Sequence, residues 1–163
     1  MEFRKIRVWD LPTRLFHWLL VALVAAAIIS INLKTSESMM WHGRFGHMIF
    51  GLIVFRIVWG IVGSTHARFW NFFPTPGRFT AYLRGTWQGL GHNPLGALSV
   101  FALLGLIGFQ AVTGLFANDD IVFRGPLAAA VSSSTSNDLS TLHRQMEYWI
   151  YALVALHVAA VLF

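Results

Sequence analysis

The side chains with chemistry to offer are histidines: the 163-residue chain has seven of them and no cysteine. Without cysteine there are no disulfides, no iron–sulfur clusters, no thiolate zinc sites and no C-x-x-C-H attachment of a c-type haem. Any redox group must be held by other atoms. His143 and His157 lie in one apolar stretch, fourteen residues apart. On a helix that spacing is about 21 Å along the axis and within about 40° of the same face. His17 opens the first apolar stretch and His42 the second, on opposite sides of the span that separates them. His17 thus matches His157 in depth, and His42 matches His143.

Two facing imidazoles at one depth in a helical core suit one haem b, ligated above and below. Two such pairs make two haems b, bound non-covalently, with His17, His157, His42 and His143 as axial ligands. Iron with both axial positions filled suits electron transfer rather than oxygen chemistry. His47 competes with His42: it lies about 7.5 Å deeper on the helix and about 140° around it, and spacing leaves both open. His66 and His92 fall in a loop and read as solvated or interfacial. Arg56 shares the face of His42 fourteen residues on, where it would bind a haem propionate; snorkelling to the headgroups is the competing reading. Arg14 and Arg144 are weaker candidates of the same kind. Gly46, one turn from His42, is assigned to the haem face, whereas Gly51, Gly105, Gly108 and Gly114 read as helix-packing positions.

The elements that must position these residues follow from composition. The chain is 56% hydrophobic and only 12% charged, with a mean hydropathy of +0.60; soluble domains carry about twice that charge. Aromatic content of 15% excludes disorder. The surplus apolar surface must face a lipid bilayer. The expected fold is all-α: an integral membrane four-helix bundle with two b haems in its core, forming one transmembrane domain over 1–163. Spans are expected at about 15–33, 42–63, 95–116 and 140–163. Residues 34–41 and 117–138 read as polar loops, and 64–94 as a loop carrying an interfacial helix.

The first span holds His17 and Trp18, is long and lacks a convincing A-x-A exit, so it reads as a retained helix rather than a signal peptide. The net charge of +5 is partitioned between loops and does not imply nucleic acid. Arg4, Lys5, Arg7, Arg14, Arg68, Arg78 and Arg84 lie on one side, against Lys34, Arg44, Arg124 and Arg144 on the other. The positive-inside rule then makes both termini cytoplasmic. The ending Val161-Leu162-Phe163 has no polar flank, which suggests truncation there.

The stretches VWDLPTRLFHWLL (8–20), His42 to Gly46 with FRIVWGIVGSTHARF (55–69), LGHNPLG (90–96), QAVTGLFANDD (110–120) and LHRQMEYWIYALVALH (142–157) resemble the bacterial cytochrome b561 family. That family is grouped with the b-type cytochrome subunits of membrane NiFe hydrogenases, and the resemblance covers essentially the whole chain. It implies a di-haem four-helix protein of the bacterial inner membrane, with axial ligands on the first, second and fourth helices. They land on His17, His42, His143 and His157. The resemblance also favours His42 over His47, because the family places an arginine fourteen residues after its ligand, as Arg56 is here. It further implies electron exchange between a quinone and a periplasmic redox partner, such as a cytochrome c or a hydrogenase; a homodimer is left open.

Three functions follow for comparison. The first is transmembrane electron transfer between the quinone pool and that partner. The second is a superoxide:ubiquinone oxidoreductase, disfavoured because Asp119, Asp120 and Asp138 make the outer loop acidic, which repels a small anion and attracts a basic protein. The third is a histidine-based metal transporter, which would need carboxylates inside the bundle. A quinone site is expected either near Arg56, Trp59, His66 and Arg68 or near Trp41.

Overall fold

A computed structural model of the chain describes residues 8–162. Arg4, Lys5, Arg7 and Phe163, which bear on orientation and truncation, lie outside the described residues. The elements are α1 (Leu11–Asn32), α2 (Ser36–Val62), α3 (Phe69–Phe72), α4 (Pro76–Leu83), α5 (Pro94–Phe116), a 3-10 turn at Ala128–Ala130, and α6 (Ser133–Leu162). Four of them, α1, α2, α5 and α6, are long and apolar enough to cross a membrane. The fold is the expected all-α membrane bundle.

Local chemistry explains where each span begins. Asp10 caps α1 through its carboxylate, which accepts from the Thr13 amide at 2.8 Å, and proline follows in the first turn. Thr35 and Ser38 form a reciprocal capping box at the start of α2. Asn93 caps α5, with Pro94 at its first position. The α2 and α6 helices start well before their apolar windows, because hydrogen-bonding caps and not hydropathy set a helix end.

The largest departure from expectation is at α6. Residues 133–138, expected to be a solvated loop, are its first turns. The serines that argued for a loop are instead packing groups. Ser136 Oγ donates to the Phe116 carbonyl at 2.8 Å, and Ser140 Oγ accepts from the Asn118 amide at 2.9 Å, tying α6 to the end of α5. As a result Asp138 sits in the first turns of α6, as Glu37 does in the first turn of α2, and Glu147 lies further along α6.

The α1 helix packs on α2, α2 on α5 and α5 on α6, whereas α1 and α6 do not pack closely on one another. Ala27, Ile49, Ile53, Ile107 and Ala111 form a buried apolar plug at mid-depth. Outward, large apolar side chains stand exposed, as lipid contact requires: Trp18 is 68% and Val62 65% exposed. The bundle therefore has a dry centre with an open seam between α6 and the α1–α2 pair, and the four paired histidines line that seam.

Candidate functional site

The α2 and α6 helices run in the same direction, so equal steps along them reach equal depths. His42 and His143 face each other with ring centroids 6.0 Å apart and ring planes 83° apart. Deeper by fourteen residues, His157 faces His17 of α1 at 6.5 Å and 52°. Two imidazoles that bind one metal from opposite sides, through bonds of about 2 Å, hold their centroids about 6 Å apart. Both pairs have that separation.

In three of the four rings the other nitrogen is engaged. His42 Nδ1–H donates to the Ala27 carbonyl of α1 at 2.9 Å. His143 Nδ1–H donates to the Gln110 carbonyl of α5 at 2.9 Å, with Thr113 Oγ1 at 3.2 Å. His157 Nδ1 meets the Ser99 hydroxyl of α5 at 3.2 Å. A backbone acceptor on Nδ1–H leaves Nε2 as the free lone pair, which is the tautomer a metal-binding histidine needs.

A cavity of about 310 Å³ opens at the outer pair, lined among others by His42, Gly46, Ile107, Gln110, His143 and Glu147. That lies at the small end of cofactor sites, roughly 300–1,000 Å³. Two details of its wall fit a flat macrocycle. A Cβ added at Gly46 would meet nothing within 4 Å, so the space beside His42 is open. One at Gly114 would come within 3.0 Å of His143 Cε1, so this glycine is what lets the ring lie flat on α5. Glu147 also faces the cavity, and the Tyr151 hydroxyl donates to its carboxylate.

His47 occupies a different situation. It is exposed at the cavity margin, and its Nδ1 lies 2.6 Å from the Gly43 carbonyl of its own helix. Its ring faces no second imidazole among the described residues. Arg14 and Arg144 are exposed as well.

Toward the His17/His157 end of the bundle Arg56 is 3% exposed, and its guanidinium lies 4.6 Å over the Phe69 ring. Gly60 leaves the room in which the Phe69 ring sits. Arg56 Nη1 is buried with no hydrogen-bond partner, so it does not snorkel. A buried donor of this kind is costly unless an anion completes it, and a haem propionate would supply that charge.

His92, expected in a solvated or interfacial loop, is instead wedged between Trp9 (4.4 Å) and Phe72 (4.8 Å). Burial, with Arg56 and His157 nearby, pushes its pKa down to about 4, so it is neutral in the fold.

Asp10 is the group that sequence reasoning passed over. Its carboxylate accepts from Trp59 Nε1 at 3.0 Å and Ser64 Oγ at 2.6 Å, besides capping α1. Burial alone would raise its pKa, but the bonds from Ser64, Thr13 and Trp59 outweigh that and hold it below the usual carboxylate range. The Asp-Leu-Pro sequence announces a helix cap; partners 49 and 54 residues away leave no such trace. On the outer side, Asp119 Oδ1 accepts from the amides of Ile121, Val122 and Phe123 at 2.8–3.0 Å. That carboxylate builds the loop, whereas Asp120 and Asp138 are exposed.

Residues 8–163 match the family model described as Prokaryotic cytochrome b561. Curated relatives include a probable Ni/Fe-hydrogenase B-type cytochrome subunit of Azotobacter chroococcum mcd 1, 27% identical over 191 residues, covering 94% of this chain and 78% of the relative. A protein of the same description from Rhizobium leguminosarum bv. viciae is 24% identical over 193 residues, covering 97% and 81%. Another, from Bradyrhizobium diazoefficiens, is 30% identical over 138 residues, covering 67% and 56%. No solved structure matches the chain.

Proposed function

Because the chain belongs to the prokaryotic cytochrome b561 family, a multi-pass bacterial membrane cytochrome that moves electrons through haem b, we propose that it carries two haems b, one at each histidine pair. His42 and His143 serve the outer site, and His17 and His157 the inner one. The observation that carries this reading is that both pairs face across one seam at 6.0 and 6.5 Å, separated by about 21 Å along α6. When bound, haem b supplies a one-electron iron couple, and two axial imidazoles leave no open position for oxygen.

The protein's own groups do the rest. The Ala27 and Gln110 carbonyls and the Ser99 hydroxyl orient the rings. Arg56 offers Nη1 to a propionate of the inner haem, and Gly46 leaves room for the outer macrocycle. The plug of Ala27, Ile49, Ile53, Ile107 and Ala111 keeps water out of the path between the sites. Each pair presents two nitrogens, where a zinc site needs three or four ligands, which favours the haem reading over metal transport.

The terminus of α1 is proposed to be cytoplasmic, in the inner membrane, with electrons exchanged between quinone and a periplasmic redox protein. The names of the relatives point to a hydrogenase as that protein, and a cytochrome c is the other candidate. Of the residues considered for quinone at the cytoplasmic end, Trp59 donates to Asp10 and Arg68 Nε to the Gly63 carbonyl, which favours His66 there; Trp41 is the candidate at the other end.

The test is the haem content and dithionite-reduced spectrum of the purified protein. Two b-type haems per chain are expected, falling to one in His143→Ala and in His157→Ala. One haem in the unsubstituted protein, or no loss in either variant, refutes the assignment.

A further inference from the structure

The segment that follows α5 is tied down at both of its neighbours, α5 and α6, and bridges the end of the bundle that holds His42 and His143. The Gly125 amide donates to the Ala117 carbonyl at 2.8 Å and the Leu127 amide to the Leu115 carbonyl at 2.9 Å. A Cβ on Gly125 would overlap the Leu115 carbonyl, so only glycine lets the bridge lie this close to the end of α5. On the α6 side, Ser140 Oγ accepts from the Asn118 amide at 2.9 Å. Between these anchors Asp119 Oδ1 gathers the amides of Ile121, Val122 and Phe123, and the Asp119 amide donates to the Phe123 carbonyl at 3.1 Å.

What the bridge delivers is the Phe123 ring. It packs on α2 at the buried Gly43, the residue next to His42, and a Cβ at Gly43 would overlap it. Phe123 also lines the cavity shared by His42 and His143. Its neighbour Val122 lines a second, smaller hollow with Ile31 of α1 and Met39 of α2. The bridge thus runs from α5 and α6 across to the α1–α2 pair, with the ring over the cavity. The cavity's other opening, the seam, faces lipid, which a hydrated ion enters only at high cost. A water-borne ion is left with the end of the bundle as its approach, and Phe123 stands in it.

We propose that Phe123 selects the electron partner of the His42/His143 site by size: its ring keeps small water-borne redox ions away from the site and leaves exchange there to a protein docked against the bridge. This rests on the haem reading of that pair given above. The physical reason is one of time. An electron crossing an intervening ring needs longer than the brief collision of a small ion, whereas a docked protein stays for about a millisecond or more. Gly43 and Gly125 act through Phe123, the first by admitting the ring and the second by seating the bridge that carries it.

The experiment uses the full-length protein in lipid nanodiscs, so that the seam stays covered, in a His157→Ala background that keeps the haem of the His42/His143 pair. Anionic ferricyanide and cationic pentaammine(pyridine)ruthenium(III) each take one electron from the ferrous haem, leaving it ferric, and stopped-flow absorbance reads the second-order rates. Phe123→Ala is expected to raise both rates severalfold, and Phe123→Tyr to hold them at the parent value. Gly43→Ala, which displaces the ring without removing it, is expected to raise both as well. In a His143→Ala background, which keeps the other haem, Phe123→Ala is expected to leave them unmoved. A second readout involves no electron transfer: relaxation of the ferric haem's electron paramagnetic resonance signal by an aqueous dysprosium chelate, expected to strengthen in Phe123→Ala. Unchanged rates and relaxation, a rise with a reagent of one charge alone, or an equal rise in the His143→Ala background overturns the proposal. A His157→Ala protein without haem overturns the haem reading and this proposal together, whereas a retained haem whose rates ignore Phe123 overturns this proposal alone.

Discussion

Asp10 joins three segments at the start of α1, and removing it should loosen the helix that carries His17. The Asp10→Ala variant loses an N-cap, which is worth about 1 kcal/mol. It also strips the Trp59 indole and the Ser64 hydroxyl of a charged acceptor. Bonds to charged groups contribute about 1.5–3 kcal/mol each, and because Asp10 is only half-buried, the low end applies. The sum is about 4 kcal/mol, a fall of roughly 10 °C in melting temperature for a chain of this size.

Asp10→Asn separates the two roles. Its remaining oxygen still caps Thr13, but its amide nitrogen confronts the Trp59 donor, so a loss of about 3 kcal/mol should persist. The assay is thermal loss of the haem absorption band in detergent, run as a double-mutant cycle with Trp59→Phe. Contact between the pair predicts strong non-additivity. The carboxylate also predicts a pH arm. Its pKa is lower in the fold than in the unfolded chain, so its contribution is complete above the unfolded value and is lost as pH falls through the folded one. If Asp10→Ala melts within about 0.5 kcal/mol of the parent, or if its loss and that of Trp59→Phe add fully, the clamp is refuted.

His42→Ala should remove one of two haems while His47→Ala retains both; pyridine haemochrome stoichiometry distinguishes them, and loss on His47→Ala alone would reverse the ligand choice. Gly46→Ala should stabilise α2 by about 0.5–1 kcal/mol, because alanine is the better helix former and its Cβ meets open space. Gly46→Phe fills that space and should cost the outer haem with the fold intact, which haem content and far-ultraviolet circular dichroism report together. His92 is neutral in the fold with a pKa of about 4, against about 6.5 unfolded. Stability should therefore be full above about pH 6.5 and decline as pH falls toward 4, and His92→Gln should flatten the melting-temperature profile across that window.

Much of this was legible in the residues. Paucity of charge announced lipid contact, and the fourteen-residue spacing of His143 and His157 placed two rings on one helix face. The same spacing put Arg56 at the inner depth. The Ser132–Asn137 run misled because serine and asparagine favour loops when solvated, whereas here Ser136 and Ser140 are buried and bonded to α5. His92 misled for a related reason: a loop position says nothing of the Trp9 and Phe72 rings that close around it.

The sequence by itself determined the number of spans, the absence of covalent haem attachment, and which histidines share a depth, because helical rise and rotation are fixed by the backbone. Only the tertiary structure decided how closely and at what angles the rings face one another, since that depends on α6 standing apart from α1 and α2 to leave a seam. It alone showed the Ala27, Gln110 and Ser99 partners of the imidazoles, the Asp10 junction, and the buried guanidinium of Arg56. Those contacts join residues far apart in the chain, and local spacing carries no record of them.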